Sequence, residues 1–205
     1  MKKQFLLLLA TAFMQTGYAQ VLRSEARHAE IFNTTFVNIC IKNLANLDKV
    51  RNEFTRITPL PAEQAENFLR GHAGNAWVVP NPYGDFILAI PAGEDVCTLY
   101  ARRADIPAVE RHFANIGKTA PRDVMITKDK DERVSGKDGK SRHTSLYHWQ
   151  LPDSDYQILL GLTTSQDSDS QAVATAAVIP ADESAPAGQN SNNVNNTQAA
   201  PASKP

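Results

Sequence analysis

From Phe36 onward, apolar residues fall at positions 36, 39, 40, 44, 47, 50, 54 and 57. Steps of three and four put them on one face, which predicts a single helix over 35–57. Thr58 and Pro59 end it, because the residue before a proline avoids the helical region. Residues 20–33 are polar and weakly patterned, and read as a flexible lead-in that turns helical near Thr34. A second, shorter helix is expected within 60–71. Pro61 suits a first turn, and Glu63 and Glu66 favour its positive end. Phe68 and Leu69 supply its buried contact, and Gly71 stops it.

The period then changes to that of strands. Residues 76–79, 86–90 and 96–102 read as three of them, with turns at 80–84 and 91–95. The second is continuously apolar, so it is expected to be covered on both faces. The third alternates, with Cys97, Leu99 and Ala101 on one side and Thr98, Tyr100 and Arg102 on the other. Asp105 is a good N-cap for a third helix, whose Ile106, Val109, Phe113 and Ile116 form a stripe and whose Gly117 ends it.

Beyond that helix the pattern is strand at 124–127, 143–151, 156–164 and 171–180, although alanines in the last leave a helix open. The charged run between the first two reads as a polar connection carrying Asp138-Gly139, a hairpin signal. The fold class is therefore α+β, with N-terminal helices packed on a mostly antiparallel sheet. The order is helix, helix, three strands, helix, four strands. Residues 34–180 form one domain. Residues 181–205 collapse to Ala, Asn, Ser, Gln and Pro, and are expected to be a disordered, low-complexity tail.

The first 19 residues stand outside this scheme. Lys2 and Lys3 precede an apolar run from Phe5 to Met14, and Gly17 and Ala19 place small residues before Gln20. That is the pattern of a cleaved signal peptide. The run is too short for the roughly 20 residues of a membrane span. No cysteine follows the cut, so no lipid anchor is expected. The expected location is periplasmic or secreted. Loss of the two lysines moves the formal charge from −1 to −3. Such a near-neutral chain gives no reason to bind nucleic acid or an anionic membrane. Cys40 and Cys97 are the only cysteines, and in an exported chain they are expected to form a disulfide.

No reaction signature is present: no GxSxG, HExxH, phosphate loop or GxGxxG. His28, His72, His112, His143 and His148 are scattered. His143 and His148 face opposite sides of a strand and cannot share a metal. Residues 129–140 imitate a calcium loop but carry Val134 where glycine is needed and Lys140 where the bidentate glutamate belongs. Neither a metal nor a cofactor is expected. The polar cluster of interest is Arg102, Arg103 and Asp105, where a strand ends in two cations before a helix N-terminus.

The run from Ala76 to Asp105, with the downstream His143-Thr144, resembles small exported proteins of Gram-negative bacteria, some of them lipoproteins. The markers are Cys40, Trp77, Pro80, Gly84 and CTLYARRAD at 97–105, and the resemblance spans about 36–180. It implies compartment and fold continuity, and brings no activity or catalytic residue.

The expected function is that of an exported, non-catalytic binding or accessory protein of the cell envelope. It would hold a protein partner through one sheet face and the Arg102/Arg103 corner, in the manner of an inhibitor or immunity protein. Two alternatives stand beside it. One is an envelope hydrolase with His143 as base. The other is a small-anion binder at Arg102 and Arg103.

Overall fold

The computed structural model describes residues 26–81, 86–135, 141–150, 152–166 and 168–181. The signal-peptide pattern, the turn residues 82–85 and 136–140, and the tail from 182 lie outside them. Seven strands form one antiparallel sheet: β1 (Gly74–Val79), β2 (Phe86–Pro91), β3 (Val96–Ala101), β4 (Met125–Ser135), β5 (Ser141–Gln150), β6 (Tyr156–Ser165) and β7 (Ala172–Pro180). Their spatial order is β1-β2-β3-β7-β6-β5-β4. The last strand of the chain is thus inserted beside β3, and β1 and β4 are the edges.

The helices are α1 (26–36), α2 (Leu47–Phe54), α3 (Ala62–Leu69) and α4 (Ile106–Lys118). Helix α1 begins by residue 26, earlier than the expected Thr34. Ala29, Phe32 and Phe36 share one face at helical spacing and are fully buried, so 26–33 belongs to the core and is not a flexible lead-in. The single helix expected over 35–57 is also corrected. It is broken into α1, a π turn over Val37–Ile41, a 3-10 turn over Leu44–Asn46, and α2. The breakers are two asparagines. Asn43 Nδ2 donates to the carbonyls of Asn38 (2.8 Å) and Ile39 (3.0 Å), which closes one segment. Asn46 then accepts from Lys49 N and caps the next. The apolar phase survives the break, since Cys40, Leu44, Leu47 and Val50 all stay buried.

Helices α1, α2 and α4 cover one face of the sheet, over a core that includes Phe86, Leu88, Leu99, Leu160, Leu162 and Tyr147. Ala172, Ala174 and Ala176 of β7 lie at 0 % exposure under this layer. Their small side chains let the π and 3-10 turns approach the middle of the sheet. The disulfide joins Cys40 of the π turn to Cys97 of β3, with 5.3 Å between Cα atoms. Among the described residues, α3 is the one helix on the other face, where Ala65 and Leu69 meet Ala76, Ile87, Ala89 and Tyr100. Strand β2 is therefore buried on both sides, as its apolar run predicts.

Two further expectations change. The charged run after Thr127 is strand and not connection: β4 pairs with β5 from Met125↔Gln150 to Ser135↔Ser141. A strand at the sheet edge can pair along one side while its side chains remain solvated. Gly117 does not end α4, which runs through it to Lys118. Its role is close packing on the Tyr147 ring, because a Cβ built there would lie 2.5 Å from that ring. No helix among the described residues is long and apolar enough to cross a membrane.

Candidate functional site

The alternation of β3 sends Cys97 and Leu99 toward α1 and Tyr100 and Arg102 toward the α3 face. There a groove of about 760 Å³ opens, walled by Gln64, Asn67 and Phe68 of α3, with Arg102, Asp169 and Ser170 on the far side. Its floor is a cross-strand row. Val78 pairs with Ile87, and Ile87 with Tyr100, so three apolar side chains from three strands stand side by side. The Tyr100 hydroxyl donates to the Phe68 carbonyl at 2.7 Å, which ties α3 to the floor. Burial pushes the Tyr100 phenol above its ordinary value, with nearby Arg70 opposing, so the ring stays a neutral donor. Val78 is 46 % exposed, one of the few large apolar side chains on the surface.

Arg102 is exposed and makes no ion pair or hydrogen bond with the described residues. Asp169 is likewise exposed and unpaired among them. Arg103 is exposed but does not line the groove. Asp105 serves as the α4 N-cap, accepting from Ala108 N at 3.2 Å, so it is spent on the helix. The three residues singled out from sequence therefore separate into a groove cation, a neighbour outside the groove and a cap.

His143 lies on the other face, at the far end of the sheet, with a side chain 13 % exposed. Its Nδ1 is 2.9 Å from Glu110 Oε1 of α4, and its Nε2 is 2.7 Å from Asp131 Oδ1 of β4. Both contacts are hydrogen bonds only when both ring nitrogens carry protons. Thr164 Oγ1 donates to Glu110 at 2.6 Å, and Arg133 pairs with the same carboxylate at 2.8 Å. Burial alone would raise the Glu110 carboxyl. Hydrogen bonds from Thr164, His143 and Arg133 outweigh it and hold the group below its usual value. Hydrogen bonds from Lys128 and then His143 bring Asp131 down to about 2. Ser145 Oγ is 3.5 Å from His143 Nε2 but also faces Asp131 at 3.3 Å, and Ser145 is itself buried. A general base needs a free lone pair, and here a carboxylate occupies each nitrogen. The cluster binds β4, β5, β6 and α4 together.

His148 emerges on the opposite face, as the alternation of β5 requires. Its Nδ1 is 2.9 Å from Gln157 Oε1. Its Nε2 is 2.7 Å from Asp129 Oδ2, close enough for an ion pair but off the N–H axis. Asp129 is the unpaired residue of a bulge, where β4 skips from Lys128↔Tyr147 to Lys130↔Leu146. No group of three or more histidine, cysteine or acidic residues among the described residues is disposed to hold a metal.

The α3 wall, the Val78–Ile87–Tyr100 row and Asp169 were not legible as a site from sequence. The one usable signal was the placement of Arg102 opposite Cys97. Comparison of the chain with protein-family models, with curated proteins and with solved structures finds no match.

Proposed function

We propose that this is a non-catalytic binding protein of an exported compartment, and that it holds an acidic segment of a protein partner in the groove between α3 and β1–β3. The observation that carries this reading is a guanidinium without a partner among the described residues, set beside an apolar floor. A carboxylate on the partner would pair with Arg102, and an apolar side chain would cover Val78 and Phe68. The exposed amides of Gln64 and Asn67 can serve a peptide backbone. The Cys40–Cys97 disulfide is consistent with an oxidising compartment, and the signal-peptide pattern supports export. A role as inhibitor or immunity protein falls within this reading. The hydrolase alternative draws no support from His143, whose two nitrogens both face carboxylates.

The test is capture from envelope extract with the mature chain, followed by titration of the captured partner. Hydrogen bonds to charged groups contribute about 1.5–3 kcal/mol, so Arg102→Glu is expected to weaken binding tenfold or more. Arg103→Ala should leave it nearly unchanged. Equal affinity for wild type, Arg102→Glu and Val78→Asp would overturn the proposal.

A further inference from the structure

The second surface of note is the free edge of β4. All eleven of its residues, Met125–Ser135, are exposed, and it carries three of the five exposed large apolar side chains among the described residues: Met125, Ile126 and Val134. Its outer backbone groups have no strand partner among the described residues and so form an open ladder. Charge on an edge strand ordinarily repels an incoming strand, because an arbitrary partner brings like charges opposite one another. On β4 the order of the charges Lys-Asp-Lys-Asp over 128–131 is self-complementary when read backwards.

The bulge selects the register. Met125 and Lys130 stand opposite Gln150 and Leu146 on the α3 face, whereas Lys128 and Asp131 stand opposite Tyr147 and Ser145 on the helix face. Asp129 shifts the alternation by one, so residues nine apart, such as Met125 and Val134, share a face. Two antiparallel copies related by a twofold axis normal to the sheet must match like faces. Directly opposed residues then have numbers of unlike parity, as 125 with 134.

Of the two registers this allows with the fullest overlap, one centred between Asp129 and Lys130 and one between Lys130 and Asp131, the first opposes unlike charges. It sets Met125 against Val134 of the second copy, Lys128 against Asp131, and Asp129 against Lys130. By symmetry each pairing occurs twice, so four opposite-charge pairs are flanked by two apolar pairs. Moving the register by two residues one way sets Lys128 against Arg133 and Asp129 against Glu132. Moving it the other way sets Met125 against Glu132 and Ile126 against Asp131.

We infer that two copies of this chain associate through antiparallel β4–β4 pairing in this register, joining two seven-stranded sheets into one of about fourteen. The occupant of the edge is a second copy, because the charge order complements itself. The grooves at Arg102 lie toward the opposite edge of each sheet and stay open, so the inference stands independently of the proposed function. One strand pair buries less than the roughly 1,200–2,000 Å² of a standard stable interface, so the dimer should form at high protein concentration and dissociate on dilution.

The test uses the full mature chain with Met125→Cys and Val134→Cys together. Both native cysteines are in the disulfide, so only the new thiols are free. Opposed residues in antiparallel strands have Cα atoms about 4.5–5.5 Å apart, within disulfide range. The double variant should cross-link to a covalent dimer on mild oxidation. Each single variant should not, because in this register its thiol lies roughly 30 Å from its own copy, nine residues along a strand. Mass by light scattering should show a concentration-dependent dimer for the wild type. Lys128→Glu should abolish it, and Lys128→Glu with Asp131→Lys should restore it. Both cysteine positions are exposed, and circular dichroism confirms the fold of each variant. A monomer at all concentrations, or equal cross-linking of single and double variants, would overturn the inference.

Discussion

Replacing Gly117 with alanine tests the packing between α4 and the sheet. A Cβ at this position would lie 2.5–2.7 Å from three atoms of the Tyr147 ring, inside any van der Waals contact. Neither side yields easily. Gly117 is in the last turn of a thirteen-residue helix, and its carbonyl accepts from Trp149 Nε1 at 2.9 Å. Tyr147 is 1 % exposed, and its ring contacts Phe113 at 6.1 Å between centroids. Overpacking a core costs about 1–3 kcal/mol, and a clash with a caged ring belongs at the upper end. Alanine recovers about 1 kcal/mol of helix propensity. The net loss is about 2 kcal/mol, or roughly 4–8 °C in melting temperature for a domain of this size. Urea denaturation and thermal melts of wild type and Gly117→Ala measure it. Tyr147→Leu in the same background should remove the clash, so the double variant should be more stable than the sum of the singles by about 1 kcal/mol or more. Gly117→Ala with wild-type or higher stability would refute the reasoning, because glycine would then be a helix stop of no packing consequence.

Two other outcomes follow from the same structure. Cys40→Ala with Cys97→Ala opens a loop of 57 residues and is expected to cost about 4 kcal/mol by chain entropy; denaturant titration showing a loss under about 1 kcal/mol would contradict a disulfide that constrains the unfolded chain. Asp131 is held at about 2 by its hydrogen bonds from Lys128 and His143, below the roughly 3.9 of an unfolded aspartate. A depressed folded value stabilises above the unfolded pKa and is lost as pH falls through the folded one, so this contribution should fade between about pH 4 and 2. The carboxylate is about half exposed, so salt should weaken the effect. Asp131→Asn should flatten the stability profile over that window, and an unchanged slope would count against the ion cluster.

Local pattern was enough wherever one element's own period carried the information. The three strands before α4 and the four after it, the capping of α4 by Asp105 and the doubly buried β2 were all readable, because periodicity reports which face is apolar. What failed was local detail decided by side-chain-to-backbone bonds. The phase of 36, 40, 44, 47 and 50 looked like one helix, and only Asn43 and Asn46 bonding to nearby backbone split it. The charged β4 was hidden for a different reason. An edge strand needs no apolar face, so its pattern carries no strand period.

The His143 cluster was illegible through register. A two-residue turn at Asp138-Gly139 would set Ser135 opposite Arg142, whereas the strands pair Ser135 with Ser141. That slip of one residue decides whether Asp131 shares a face with His143. By itself, then, the sequence determined the helices' apolar faces, the number of strands, the pairing of the only two cysteines and the side of β3 on which Arg102 lies. Only the tertiary structure decided that β7 inserts beside β3, that α3 crosses to the opposite face, and that Glu110 and Asp131 converge on one imidazole. Those features join residues tens of positions apart. Long-range pairing depends on how whole faces bury one another, and no local period records it.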